Sequence, residues 1–104
     1  MSIDGLKQEY MPKYLDNGEQ KFYRHLLFLG LNKLVLIDKG IYKGTPPNLE
    51  FLEYYDQFII LYRREGDEVY LQIARMLRKA AHRIYRIMLK KAMTVPSTKF
   101  LNLV

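Results

Sequence analysis

The chain contains no cysteine, which excludes disulfides, thiolate metal sites and cysteine nucleophiles and leaves the fold to a hydrophobic core alone. Histidine is scarce. His25 and His82 are the only two, too few for a metal centre without helping carboxylates, and the paired Glu-x-x-His units of bundle metal sites do not occur. Gly-rich phosphate loops, G-x-S-x-G elbows and H-E-x-x-H pairs are missing as well. Apolar runs are short: residues 26–31 and 34–37 are separated by Asn32 and Lys33, far below the roughly 18 residues needed to span a bilayer. Residues 1–14 carry Asp4 and Glu9 and no apolar h-region, unlike a secretory signal or an acid-poor transit peptide, so a cytoplasmic or nuclear location is the expectation. On these absences we expect no enzyme, no metal and no cofactor.

Acidic residues are missing from the last third. All eleven lie at or before Glu68, whereas the stretch from Val69 onward has eight Lys or Arg and no acid. That stretch is therefore about +8, the remainder about −2, and the net charge +6 conceals a two-sided molecule. With 104 residues, 49% hydrophobic and 13% aromatic, the chain suits one folded domain over residues 1–104 and is too apolar for disorder.

Helical periodicity dominates. Leu6, Tyr10 and Tyr14 fit a first helix that Pro12 should shorten or kink, and Asn17-Gly18 is a stop and turn signal. From Glu19 to about Ile37, apolar residues cover more than one face, as in a central helix surrounded by others. Residues 34–43 could instead form a small hairpin, which would make the fold α+β. Gly44-Thr45-Pro46-Pro47 marks a loop ending in the helix starters Thr45 and Asn48. The stripe Phe51, Tyr55, Phe58, Tyr62 then runs to a stop at Gly66, and Asp67 caps the next helix, so the two helices form a tight antiparallel pair. The last helix, about Glu68 to Met93, carries Ile73, Leu77, Ala80, Ala81, Ile84 and Met88 on one face, with Ala80-Ala81 small enough for a close neighbour. The fold class expected is all-α, a small three- to four-helix bundle with a long basic amphipathic C-terminal helix. Its core draws on Leu26, Leu29, Phe51, Tyr55, Phe58, Tyr62, Ile73, Leu77, Ile84 and Met88. Residues 94–104, within which Pro96 ends the helical pattern, read as a flexible or partner-docking tail with Phe100, Leu101, Leu103 and Val104 as its docking residues.

The feature that carries chemistry is the basic face of the last helix. Arg75, Lys79, Arg83, Arg86 and Lys90 recur every three or four residues, flanked by Arg78 and His82. Such a row can meet an acidic protein surface or nucleic-acid phosphates. The plainer reading is a solvated face, partly matched by Glu50, Glu53 and Asp56 on the preceding helix. Among the nine tyrosines, Tyr85 alone lies where a base could stack, the others fitting apolar stripes. The expectation is a non-enzymatic protein–protein interaction module, an adaptor or small complex subunit, with a nucleic-acid-binding protein as the alternative. Self-association of the acidic helix of one copy with the basic helix of another is also compatible with the charge pattern.

Leu61-Tyr62-Arg63 resembles the tripeptide that names the LYR-motif proteins, which are small, basic and helical and serve mitochondrial assembly. In that family the tripeptide opens the first helix, whereas here it falls near the end of the third expected one. The resemblance covers three residues, implies a mitochondrial assembly factor as a minor alternative, and does not assign the chain to the family.

Overall fold

In a computed structural model the chain is an all-α bundle, described for the backbone of residues 3–94 and the side chains of residues 3–91. Its helices are α1 (Ile3–Asp38), α2 (Pro47–Glu65) and α3 (Glu68–Thr94), and no strand occurs among the described residues.

α1 is two helical arms joined at a break rather than one straight helix. Gly18 has φ 76° and ψ 170°, a conformation essentially confined to glycine. In a straight helix residues 13 and 25 would lie about 18 Å apart. Instead Lys13 Nζ is 3.2 Å from His25 Nε2, so the two arms fold back on each other. Aromatic packing fixes that reversal: Tyr10 and Tyr14 meet Phe22 edge-on, with ring centroids at 6.0 Å and 5.5 Å. The expected kink at Pro12 does not occur. Gln8 and Pro12 are both exposed, so the Gln8 carbonyl that loses its amide donor faces water and the helix continues through it.

The hairpin alternative at residues 34–43 is corrected by the end of α1. Gly40 N–H donates to Ile37 O at 3.0 Å and Ile41 N–H to Leu36 O at 2.9 Å, with Gly40 at φ 74°. This is the paired 5→2 and 6→1 closure of a Schellman motif, and it satisfies carbonyls that would otherwise be orphaned. Neither Thr45 nor Asn48 caps α2. The helix begins at Pro47 after Pro46 with no side-chain cap, because proline in the first turn has no N–H to satisfy. Asn48 is buried within that turn, and its Oδ1 has no donor among the described residues.

α2 ends as its sequence requires. Gly66 adopts φ 74° and gives its N–H to Tyr62 O at 2.7 Å, and Asp67 Oδ1 accepts the Val69 N–H at 3.0 Å to open α3. The two-residue link returns α3 antiparallel along α2, where Phe58 meets Tyr70 at 6.2 Å. Between them sits a core of Leu26, Leu34, Phe51, Phe58, Leu61, Ile73, Leu77, Ile84 and Met88. Leu29, Tyr55 and Tyr62 are only partly buried around it. The second arm of α1 lies parallel to α3, since Tyr23 meets Lys79 and Gly30 faces Ile84. A Cβ on Gly30 would stand 2.8 Å from Ile84 Cδ1 and 2.9 Å from its Cγ1. Gly30 and the small Ala80-Ala81 pair, all buried, are what allow this approach.

Three measurements test this arrangement. Gly18→Ala, where a Cβ meets no neighbour, should cost about 1–3 kcal/mol through backbone strain alone, read from urea unfolding. Gly30→Ala gains roughly 1 kcal/mol of helix propensity but must displace the fully buried Ile84, at about 1–3 kcal/mol. The net should be a loss that shrinks in an Ile84→Val background. His25 is held below its ordinary value of 6.5 by burial and then by the Lys13 ammonium, with Glu9 opposing. Stability should therefore be unaffected above pH 6.5 and fall as the pH drops from there to the depressed folded value. The His25 ring resonances should titrate below 6.5, and Lys13→Met should raise the midpoint; an unchanged midpoint would break the assignment to Lys13.

Candidate interaction face

α3 has a buried face that includes Ile73, Leu77, Ile84 and Met88, and the 3.6-residue period then turns Arg75, Lys79, Arg83 and Arg86 outward as a row. At 1.5 Å per residue the row from Arg75 to Arg86 is about 16 Å long, with a cation every 5–6 Å or so. With Arg78, His82 and Tyr23 these residues line a cleft of about 410 Å³. Tyr23 arrives from the second arm of α1, and its ring receives Lys79 Nζ at 4.5 Å from the centroid, a cation–π contact that fixes one wall against the other.

The carboxylates do not neutralise this face. Glu50 is taken by Lys33, Glu65 by Lys7 at 3.1 Å and Arg64 at 3.2 Å, and Glu53 and Asp56 are exposed. Among the described residues none of Arg75, Arg78, Arg83 or Arg86 has a carboxylate partner. The partial matching expected from Glu50, Glu53 and Asp56 is therefore absent, and among the described residues no counterion sits on the arginines of the row.

Of the site residues read from the sequence, Arg75, Arg78, Lys79, Arg83 and Arg86 come together in the cleft. Lys90 is exposed one turn further along, outside the lining. The tail residues Phe100, Leu101, Leu103 and Val104 lie outside the described residues. Tyr85 is 37% exposed but does not line the cleft. Two features escaped the sequence reading. Tyr23 enters the cleft only through the tertiary approach of α1 to α3, for which no local signal exists. Phe28, Leu31 and Val35 belong to the helix whose apolar residues cover more than one face, and they are 61%, 40% and 45% exposed. Their 3- and 4-residue spacing places them on one outer ridge of α1, and that spacing was visible in the sequence.

A second recess, of about 320 Å³, gathers Glu9, Tyr10, Lys33, Glu50 and Tyr54 between α1 and α2. The Lys33–Glu50 ion pair occupies its polar side. Burial, and then the neighbouring carboxylates, push the Tyr10 and Tyr54 phenols above their ordinary value of 10, so neither serves as a base near neutrality. Groups of three His, Cys, Asp or Glu able to hold a metal are absent among the described residues, and none of the described helices is long and apolar enough to cross a membrane.

Leu61-Tyr62-Arg63 closes α2: Leu61 is in the core, the Tyr62 carbonyl receives the Gly66 cap, and Tyr62 Oη donates to Glu68 Oε1 at 3.3 Å. Compared with protein-family models, characterised proteins and solved structures, the chain matches none at a significant level.

Like charges at helical spacing repel by about 0.2–0.5 kcal/mol per pair. Arg83→Glu replaces repulsion by Lys79 and Arg86 with attraction and should raise stability by about 0.5–1 kcal/mol at low salt. The gain should fade near about 0.5 M salt, with urea unfolding as the readout; a loss of stability instead would mean that the Arg83 stem packs structurally.

Proposed function

We propose that the protein is a non-enzymatic interaction module, an adaptor or small subunit of a larger assembly, that presents the basic face of α3 to an acidic protein surface. The observation that carries this reading is the uncompensated row Arg75, Arg78, Arg83 and Arg86 on a rigid helix. Several like charges held side by side cost stability, and a partner bearing carboxylates removes that cost while gaining steering and specificity. Arginine predominates in the row, and its planar fork pairs carboxylates bidentately.

Nucleic acid is the second reading, since phosphates answer to the same cations. Two observations weigh against it. One face of the Tyr23 ring is already engaged by Lys79, and Tyr23 is the one tyrosine in the cleft lining, so the cleft has little of the aromatic platform that unpaired bases use. Exposed Phe28, Leu31 and Val35 have no role in phosphate contact and are the kind of apolar ridge that protein partners cover. The interior of a cell, cytoplasmic or nuclear, is the setting this reading assumes.

The test is affinity capture of the tagged chain at about 0.15 M salt, with and without nuclease, alongside the Arg83→Glu/Arg86→Glu variant. Stoichiometric proteins that survive nuclease and are lost from the variant are the expected outcome. A bound set that disappears with nuclease moves the function to nucleic acid, and one that the variant retains in full removes the basic face from the interaction.

A further inference from the structure

Tyr23 of α1 and the cation row of α3 line the same cleft. Leu27 and Leu31 follow Tyr23 at successive four-residue steps, so the ridge that supplies Tyr23 to the cleft continues as an apolar edge. Leu27 is half-buried and Leu31 exposed. On the α3 side Ile87, partly buried against the core, lies four residues beyond Arg83. α1 and α3 run parallel here, as Tyr23 to Lys79 and Gly30 to Ile84 show. Between the two parallel helices runs a furrow with Tyr23 and Lys79 across it, Leu27 and Leu31 further along α1, Ile87 further along α3, and Phe28 and Val35 exposed beside Leu31 on the outer ridge of α1. From Tyr23 to Leu31 it extends about 12 Å at 1.5 Å per residue.

We infer that this furrow is the seat for an acidic amphipathic α-helix of a partner protein, which docks along α1 and α3 as an added helix of the bundle. The inference rests on the proposed function and specifies the partner's form. Charge complementarity selects the sign, and geometry selects the helix. The cations of α3 recur every three or four residues, the interval at which carboxylates on one side of a partner helix recur, so the two rows pair in register. The partner's apolar stripe, offset around its axis, then covers Leu27, Leu31 and Ile87, as in helix-in-groove recognition. An extended chain spaces same-side residues at about 6.6–6.8 Å and drifts out of step with the row. A lipid surface needs apolar groups projecting beyond the cations, whereas Tyr23 lies within a cleft walled by them and Leu27 is half-buried.

The probe is a synthetic peptide of about 14 residues, long enough to span the furrow, with Leu on one helical stripe and Glu on the adjoining one. It is measured by fluorescence anisotropy against the full chain at about 0.15 M salt, beside a scramble of the same composition, polyglutamate, and phosphatidylserine-containing vesicles. The ordered peptide should bind at least about tenfold more tightly than its scramble. Phe28→Ser/Leu31→Ser/Val35→Ser, three exposed positions whose replacement leaves the core intact, should erase that preference while polyglutamate binding persists. Arg83→Glu/Arg86→Glu should abolish both. Equal binding of ordered and scrambled peptides overturns the furrow as a helix seat and leaves the acidic-partner reading standing. Failure of wild-type chain to bind polyglutamate or either peptide overturns both, and tighter binding to the vesicles than to the ordered peptide assigns the face to lipid and overturns the inference.

Discussion

The reversal of α1 at Gly18 is the constraint on which the bundle depends. Three amphipathic helices with an exposed end to their core would leave Phe22, Phe58 and Tyr70 facing water. By turning the first arm back, Gly18 brings Leu6 and Tyr10 over them, and the edge-on contacts of Tyr10 and Tyr14 with Phe22 hold the arm in place. Lys7 extends this closure by pairing with Glu65 at 3.1 Å and lying 5.4 Å from the Tyr70 ring centroid. The pair is exposed and worth little by itself. Its place is at the rim of a seal made by aromatic packing.

The same closure organises charge. Glu50 in the first turn of α2 is occupied by Lys33 near the end of α1, and Glu65 in the last turn of α2 by Lys7 and Arg64. Acid and base are thereby matched away from α3, and Arg75, Arg78, Arg83 and Arg86 have no carboxylate partner among the described residues. Two faces with different tasks result: one is consumed by folding, while the other has its charge held in reserve. The second arm of α1 contributes to both, because Gly30 presses it against Ile84 on its inner side while Phe28, Leu31 and Val35 remain outside.

How much of this was legible follows from where the information lies. Local chemistry announced its own geometry: Gly66 and Asp67 ended one helix and began another, and the α3 arginines fell on one face because their spacing is itself helical. Those features need no distant contact. Gly18 was visible as a stop, but whether the chain reverses there or merely bends is decided by Tyr10 and Tyr14 finding Phe22. Pro12 misled because a lost hydrogen bond costs little when its carbonyl is solvated. The end of α1 was ambiguous for the opposite reason: Leu34, Val35, Leu36 and Ile37 fit strand or helix, and the choice was made by Gly40 closing two backbone bonds. Tyr23 became part of the cleft only through the packing of α1 against α3. Apolarity on more than one face of the second arm does not by itself tell which face is covered, and Phe28, Leu31 and Val35 are on the one that is not.

The two-residue link at Gly66-Asp67 has a further consequence for the order of events in folding. Contacts between α2 and α3, such as Phe58 with Tyr70 and Tyr62 with Glu68, join residues close in sequence, so little loop-closure entropy is lost in forming them. Contacts from α1 to α3, such as Lys7 with Tyr70 or Tyr14 with Gln72, close loops several times longer. The α2–α3 hairpin is thus the natural nucleus, with α1 docking onto it afterwards, and the arginine row is presented on a helix that takes shape before the rest of the molecule has closed.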